Sequence, residues 1–190
     1  MRRSIVALVI ACVAVSTPLA AQSGNRAHAI GLGFVATVGD NWQMETAEIG
    51  YVHRPRRGLA AISIAARAGT FINESMMVGG TQGFVAAATL SARTRMKSIA
   101  QLGQDEHGTG IGLDFTVELT GYRAHRSPLL VGNTWAGVSL LPAFSIGSGD
   151  SPHFAIVVGP TAFFGNGKSI MRGLLALRAE APLARRERHP

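Results

Sequence analysis

Cysteine, lysine, tryptophan and tyrosine are all scarce in this sequence. The 190 residues include one cysteine, Cys12, two tryptophans, two tyrosines and, as lysines, only Lys97 and Lys168. Because Cys12 lies in the N-terminal segment, a chain cleaved after that segment contains no disulfide, no thiolate metal site and no cysteine nucleophile. The scarcity of cysteine therefore excludes a disulfide-stabilised scaffold and thiol chemistry.

The N-terminal segment has the three parts of a secretory signal peptide. Arg2 and Arg3 are followed by the uncharged apolar run Ile5 to Val15 and then by small residues. We predict that residues 1–21 are a signal peptide, because the apolar run is shorter than the roughly 20 residues of a membrane-spanning helix. An uncleaved anchor, and lipid attachment at Cys12 in "VIAC", are the alternatives.

Basic residues are concentrated in two places in the chain that remains after cleavage. Loss of Arg2 and Arg3 lowers the formal net charge from +7 to +5, and much of this excess lies in His53 to Gly58 and in the tail, residues 184–190. An exported chain rarely meets nucleic acid, so we interpret these charges as contacts to lipid phosphates. Solvated turns and a solvated tail are the alternative.

Apolar and polar residues alternate with a period of two through most of the remaining chain. The clearest example is "GIGLDFTVELT", Gly110 to Thr120, in which Ile111, Leu113 and Phe115 alternate with polar or small residues. Turn-forming Gly, Pro, Asn and Asp separate such stretches, which indicates an antiparallel meander of strands. The other stretches are 28–37, 44–53, 58–71, 83–94, 135–147, 153–165 and 169–180.

A meander of this kind points its apolar face either inward, in a soluble barrel, or outward into lipid, in a membrane barrel. The opposite face is rich in small residues and poor in lysine, which is typical of a narrow barrel interior. We therefore predict an all-β fold, an antiparallel up-and-down transmembrane β-barrel with eight strands, ten being the alternative, in residues 22–183. The charges expected to form a network in its lumen are Glu48, Arg67, Arg93, Arg95, Asp114, Glu118, Arg172 and Arg178.

At this point the chain resembles the small outer-membrane β-barrels of the OmpA- and OmpX-like family. The resemblance rests on the signal peptide and on "IGLGFVA", "GIGLDFTVEL" and "VVGPTAFFG". It implies a monomer in the outer membrane, with lipids and the barrel-assembly machinery as partners. Two features depart from the family: the chain ends in "LARRERHP" where an aromatic terminus is usual, and Trp and Tyr are too few for full aromatic girdles.

The number of strands depends on the segment Gly83 to Gly103. If this segment is one long strand, the barrel has eight strands. If a turn interrupts it at Arg93 to Met96, the count is nine, and an even number requires one strand more or fewer. We prefer eight.

The segment "AFFGNGKSIMRG", Ala162 to Gly173, partly matches a phosphate-binding loop. The first glycine of that motif is replaced by Ala162, and Asn166-Gly167 between two alternating stretches is a strong hairpin signal. We therefore predict a hairpin turn at Asn166 and Gly167 and no nucleotide binding. This prediction requires that residues 169–180 form a strand.

A His-x-Ser pair, His125 and Ser127, matches the catalytic strand of outer-membrane lipid A deacylases, in which the histidine acts as a base for the serine. Pro128 stands where that family has Asn, and no carboxylate follows to orient the histidine. We expect a loop at this place, and we predict no catalytic residue, no cofactor and no metal. The other histidines are scattered singly along the chain; they are His28, His53, His107, His153 and His189.

Together these features favour a non-enzymatic integral outer-membrane β-barrel with a structural or surface-interaction role. One alternative is a soluble periplasmic barrel that binds an apolar ligand inside. The other is an outer-membrane lipid acyl-ester hydrolase that uses His125 and Ser127.

Overall fold

Residues whose side chains alternate between two faces make up almost all of the structure, which is a computed structural model. Within the described residues the chain forms β-strands and no helix. No helix that is long and apolar enough to cross a membrane occurs in this part of the chain. The expected signal peptide and the C-terminal tail lie outside the described residues. The described residues are 27–40, 42–55, 59–73, 81–95, 97–102, 109–125, 131–147 and 153–183.

Nine strands follow one another along the described chain, at the places where the sequence alternates. They are β1 (His28–Gly39), β2 (Trp42–His53), β3 (Ala61–Asn73), β4 (Thr81–Arg93), β5 (Lys97–Leu102), β6 (Thr109–Ala124), β7 (Thr134–Gly147), β8 (His153–Gly165) and β9 (Lys168–Pro182).

All strands belong to one antiparallel sheet that closes on itself. Their order is β4-β3-β2-β1-β9-β8-β7-β6-β5, and the additional pairing of β4 with β6 closes the ring. The result is an eight-stranded up-and-down barrel with β5 as one extra short strand. The predicted all-β fold, an antiparallel up-and-down barrel of eight strands, is confirmed.

The extra strand arises from an interruption in what is otherwise one long strand. β4 and β5 both pair with β6, so that Arg93 is opposite Thr116 and Lys97 is opposite Leu113. Between them the backbone N–H of Thr94 donates to a carbonyl of β6 at 2.8 Å, which keeps the chain against the same neighbour. The barrel therefore has eight strands, although the strand is interrupted where the sequence suggested a turn.

Many large apolar side chains point away from the barrel, and most polar ones point into it. In β7 every second residue is buried along the whole strand. In β6 Phe115 and Val117 are 55% and 47% exposed, whereas Asp114 and Glu118 are buried. Because the sheet is closed, the buried face is the barrel interior, and the apolar row of β6 faces outward.

The interior is packed differently at the two ends of the barrel. We call the end that holds His28 and Pro182 the terminal end, and the end that holds Gly39 and Gly165 the far end. A cluster of large, mostly aromatic side chains, the aromatic cluster, fills the far end; its buried members are Trp42, Met44, Phe71, Val85, Tyr122, Ala124, Val131, Trp135 and Phe163.

Candidate functional site

Four charged residues meet inside the barrel near its middle. Glu48 on β2 is opposite Arg67 on β3 and, on its other side, opposite Gly33 on β1, which is in turn opposite Arg178 on β9. Glu118 reaches the same place from β6. We call Glu48, Arg67, Glu118 and Arg178 the central ion-pair group.

Each arginine of the central ion-pair group contacts both glutamates. Arg67 donates from Nε to Glu48 at 2.6 Å and from Nη2 to Glu118 at 2.7 Å. Arg178 donates to Glu48 at 3.0 Å and also to Glu118. Two positive and two negative charges thus neutralise one another across the lumen. This mutual pairing allows the charges to remain buried, because an unpaired buried charge is strongly destabilising.

A glycine makes room for one side of the group. A Cβ atom built on Gly33 would lie 3.3 Å from both the Arg178 side chain and the carboxylate of Glu48. The absence of a side chain at this position lets Glu48 and Arg178 meet across β1. The group is also linked to the aromatic cluster, since Arg67 Nη1 lies 3.4 Å from the hydroxyl of Tyr122.

A second set of charged side chains lies toward the terminal end. Arg93 donates to both oxygens of Glu180, at 2.5 and 3.0 Å, and Arg54 donates to Glu180 at 3.2 Å. His153 Nδ1 is 3.1 Å from Arg93, and His153 Nε2 is 3.5 Å from Asp114. We call these five residues the terminal ion-pair group. It holds two carboxylates, two arginines and one histidine.

Asp114 is the least completely bonded carboxylate of the terminal ion-pair group. Its Oδ2 accepts a hydrogen bond from Ser145 at 2.7 Å and faces His153. Its Oδ1 is buried and has no hydrogen-bond partner among the described residues. The carboxylate is therefore oriented by one oxygen only.

A small cavity with both polar and apolar lining lies between the two groups. Its volume is about 40 Å³, enough for a few water molecules at about 10–15 Å³ each. Small side chains and hydroxyl groups create the space, together with carboxylates of both groups. Among its lining residues are Gly50, Ser63, Ala65, Ser91, Thr116 and Ala155.

The eight charges expected in the lumen are divided in three ways. Six of them lie in the two ion-pair groups: Glu48, Arg67, Arg93, Asp114, Glu118 and Arg178. Arg172 also points inward, but it lies at the far end, with Cζ 5.9 Å from the ring centre of Trp42. Arg95 is exposed, because β4 ends at Arg93 and the alternation of faces stops there.

Three members of the terminal ion-pair group were not in the expected set: Arg54, His153 and Glu180. The period of two extends from Arg178 to Glu180 on β9, so the sequence contains a signal for Glu180. His153 begins β8 and Arg54 follows the end of β2. His153 is in phase with the buried Ala155 and Val157, so the alternation also contains a signal for it, whereas for Arg54 the strand ends before the alternation can indicate a face.

The structure contains the predicted hairpin turn, but it describes only one residue of the histidine-serine pair. β8 and β9 meet at Asn166 and Gly167, whose φ angles of 49° and 68° are both positive, and residues 169–180 lie in strand β9. His125 is exposed just after β6, whereas Ser127 lies outside the described residues. Where the structure describes the chain, no three His, Cys, Asp or Glu side chains are grouped so as to hold a metal ion.

The architecture and the interior define the class of the protein: a small closed antiparallel barrel, apolar outside and occupied inside by paired charges. Comparison with protein-family models, curated proteins and solved structures gives no match for the chain.

Proposed function

We propose that this protein is an integral outer-membrane β-barrel with a structural or surface-interaction role and without enzymatic activity. The observation that carries the proposal is a continuous apolar belt on the outside of the barrel. Charged side chains that point outward from the described strands lie near strand ends; they are Glu45, Lys97 and Arg123. Between these ends the outward side chains are uncharged.

The length of the belt matches a lipid bilayer. Outward residues are apolar from Ile111 to Leu119 on β6, from Ala136 to Ile146 on β7 and from Phe154 to Phe164 on β8. These are stretches of nine to eleven residues, and a tilted strand needs about 9–11 to cross a bilayer. Monomeric soluble proteins rarely expose so large a contiguous apolar area to water.

The interior argues against a soluble barrel that carries an apolar ligand. Such a ligand needs a mostly apolar pocket of about 300–1,000 Å³. Here the space between the ion-pair groups is only about 40 Å³, and carboxylates and arginines line it beside small apolar residues. The aromatic cluster occupies the lumen at the far end.

The outer membrane is the compartment that best explains both the apolar belt and the N-terminal export signal. The N-terminal segment has the features of an export signal, and closed barrels satisfy all backbone groups within lipid. Outer-membrane lipids and the barrel-assembly machinery are the partners that this location implies.

Interior chemistry supports a structural role. The arginines and glutamates of the central ion-pair group bond to one another, which engages them in holding the strands together. Of the His125–Ser127 pair, only His125 is described, and it is exposed at the far end. The proposed role therefore rests on the barrel and on the segments that connect its strands.

Membrane fractionation tests the location. We expect the mature protein to stay in outer-membrane pellets after alkaline carbonate extraction and to migrate differently on gels before and after boiling. A protein that carbonate releases, and whose migration does not depend on heating, contradicts the proposal.

A separate assay tests the absence of enzymatic activity. Purified protein and its Ser127→Ala variant are incubated with outer-membrane lipids, and released fatty acid is measured. We expect no release above buffer in either sample. Release that the Ser127→Ala variant lacks would establish the hydrolase instead.

A further inference from the structure

Three polar rings form a cluster on the outside of the barrel at the terminal end. His28 on β1 is directly opposite His53 on β2, and Tyr51 lies two residues before His53 on the same outward face. The ring centres of His28 and His53 are 5.3 Å apart, and those of His28 and Tyr51 are 5.7 Å apart. We call these three residues the ring cluster.

The backbone holds the ring cluster in place. The N–H of Arg54 donates to the carbonyl of Ala27 at 2.7 Å, which continues the pairing of β1 and β2 past His53. On the other side of β1, the N–H of Leu183 donates to the carbonyl of His28 at 2.9 Å. Sites carried by paired strands keep their geometry better than sites on loops.

Tyr51 orients the ring of His28. Its hydroxyl group is hydrogen-bonded to Nδ1 of His28, and the two rings are stacked at 24°. A hydrogen bond at one ring nitrogen decides whether the other nitrogen carries a proton or is free to bind a metal. With Nδ1 engaged by Tyr51, Nε2 of His28 is the nitrogen left to bind a ligand.

We propose that His28 and His53 bind one divalent transition-metal ion, of the class of Cu²⁺, Ni²⁺ or Zn²⁺, at the outer rim of the barrel. Imidazole suits these ions. Two imidazoles on one tetrahedral ion, each with a metal–nitrogen distance of about 2.0–2.1 Å, place their ring centres about 5 Å apart. The observed separation is 5.3 Å. Water completes the coordination.

Tyr51 is a positioning residue in this site. A histidine that binds a metal through one nitrogen usually bonds its other nitrogen to a neighbouring group, which fixes the tautomer and raises ligand basicity. The phenol oxygen of Tyr51 accepts from Nδ1–H of His28 in the bound state. The cluster thus contains two ligands and one supporting group.

Ions in water can reach this site. His28 is exposed and Tyr51 is 48% exposed, and both lie at the strand ends next to the terminal edge of the apolar belt. The proposal does not depend on the membrane location, because the same rings are accessible in a soluble barrel.

Metal titration tests the site. Mature protein without a polyhistidine tag is refolded in zwitterionic detergent, and Cu²⁺ and Zn²⁺ are titrated by calorimetry. We expect one ion per chain, with Cu²⁺ bound more tightly than Zn²⁺ in agreement with the general order of affinities. Electron paramagnetic resonance of the Cu²⁺ complex should show nitrogen ligands.

Variants separate the ring cluster from other histidines. We expect His28→Ala and His53→Ala each to weaken Cu²⁺ binding at least tenfold, and Tyr51→Phe to weaken it about 10- to 100-fold as other supporting groups do. His125→Ala, an exposed histidine at the far end, is the matched control and should leave affinity unchanged. Far-ultraviolet circular dichroism verifies that each variant keeps its β-structure.

Either of two results overturns the proposal: no saturable Cu²⁺ binding by the folded protein, or binding that survives both His28→Ala and His53→Ala. These results are independent of the fractionation experiment. A protein that binds Cu²⁺ at the ring cluster but is released by carbonate would keep the site and lose the membrane location.

Discussion

Arg67 and Glu118 form a salt bridge across the barrel lumen, with 2.7 Å between Nη2 and Oε1 and no solvent-exposed surface on either side chain. The two residues are 51 positions apart in the chain and lie on strands β3 and β6. Their pairing, together with Glu48 and Arg178, makes the interior a structural element in its own right.

Removal of the arginine should therefore destabilise the barrel strongly. Arg67→Met keeps much of the side-chain volume but leaves Glu48 and Glu118 with one arginine between them. We expect the free energy of unfolding to fall by about 3–5 kcal/mol, the usual result when one partner of a buried pair is lost. Urea titration of protein refolded in lipid vesicles measures it.

The control for this change is Lys97→Met, at an exposed lysine at the start of β5. A surface substitution of this kind should change the free energy by no more than about 0.5 kcal/mol. Equal losses in the two variants would show that the central ion-pair group has no special weight in stability.

A charge placed in the apolar belt should oppose folding into lipid. Val117→Arg lies in the middle of β6 and points outward. We expect it to lower the free energy of unfolding in vesicles by about 2–4 kcal/mol, because an arginine at the bilayer midplane must leave water.

Gln82→Arg is the matched substitution near the far end of β4, where the cost should be at most about 1 kcal/mol. Urea titration in the same vesicles compares the two. If Val117 faced water, Val117→Arg and Gln82→Arg would change the free energy of unfolding by similar amounts. Val117→Arg would then also be more soluble in buffer than the wild type.

The two tryptophans should be poorly quenched by lipids. Trp42 and Trp135 are 3% and 2% exposed and belong to the aromatic cluster inside the barrel. We therefore expect vesicles with brominated acyl chains to reduce the native fluorescence only slightly. A tryptophan introduced on the outward face supplies the comparison.

Phe115→Trp provides such an indole, at a belt position that is 55% exposed. Its additional fluorescence should be strongly reduced by the brominated lipids. Strong quenching of the wild type, or none of the Phe115→Trp variant, would contradict the orientation of side chains described above.

The hairpin between β8 and β9 depends on a glycine in the left-handed region. At Gly167 φ is 68°, and a Cβ atom there would meet nothing within 4 Å. Any loss of stability in Gly167→Ala therefore comes from the backbone conformation, which costs an L-residue roughly 1–2 kcal/mol. Thermal or urea unfolding of the folded barrel measures this loss.

Gly121→Ala is a well-matched control, because a Cβ atom at Gly121 also meets nothing within 4 Å and the position lies in strand β6. We expect it to be neutral or slightly stabilising, since alanine restricts the unfolded chain. A similar loss in both variants would mean that the turn conformation is not the cause.

Much of the fold could be predicted because strand alternation is a local property. Within a strand, residues an even number of positions apart share a face. The inward positions of Arg67 and Glu118 and the outward position of Phe115 could therefore be predicted from short stretches of sequence. The prediction for Arg95 departs from the structure where the chain leaves the strand at Arg93, since the period of two no longer applies there.

The ring cluster shows what local reasoning missed. Paired residues of β1 and β2 have numbers that add to 81, and this register brings His28 opposite His53. Histidine spacing within a single strand does not indicate this pair, because its two members lie on different strands. A hairpin register centred between Asp40 and Asn41 was the signal that could have found it.

The sequence by itself determined the class of fold, the two faces of each strand and the hairpin at Asn166-Gly167, because these depend on residues close together in the chain. Only the tertiary structure decided which inward charges meet, how Glu180 joins Arg93, and that aromatic side chains occupy the far end. Those contacts join strands that are distant in sequence. They depend on how the sheet closes and on its register, which no single strand encodes.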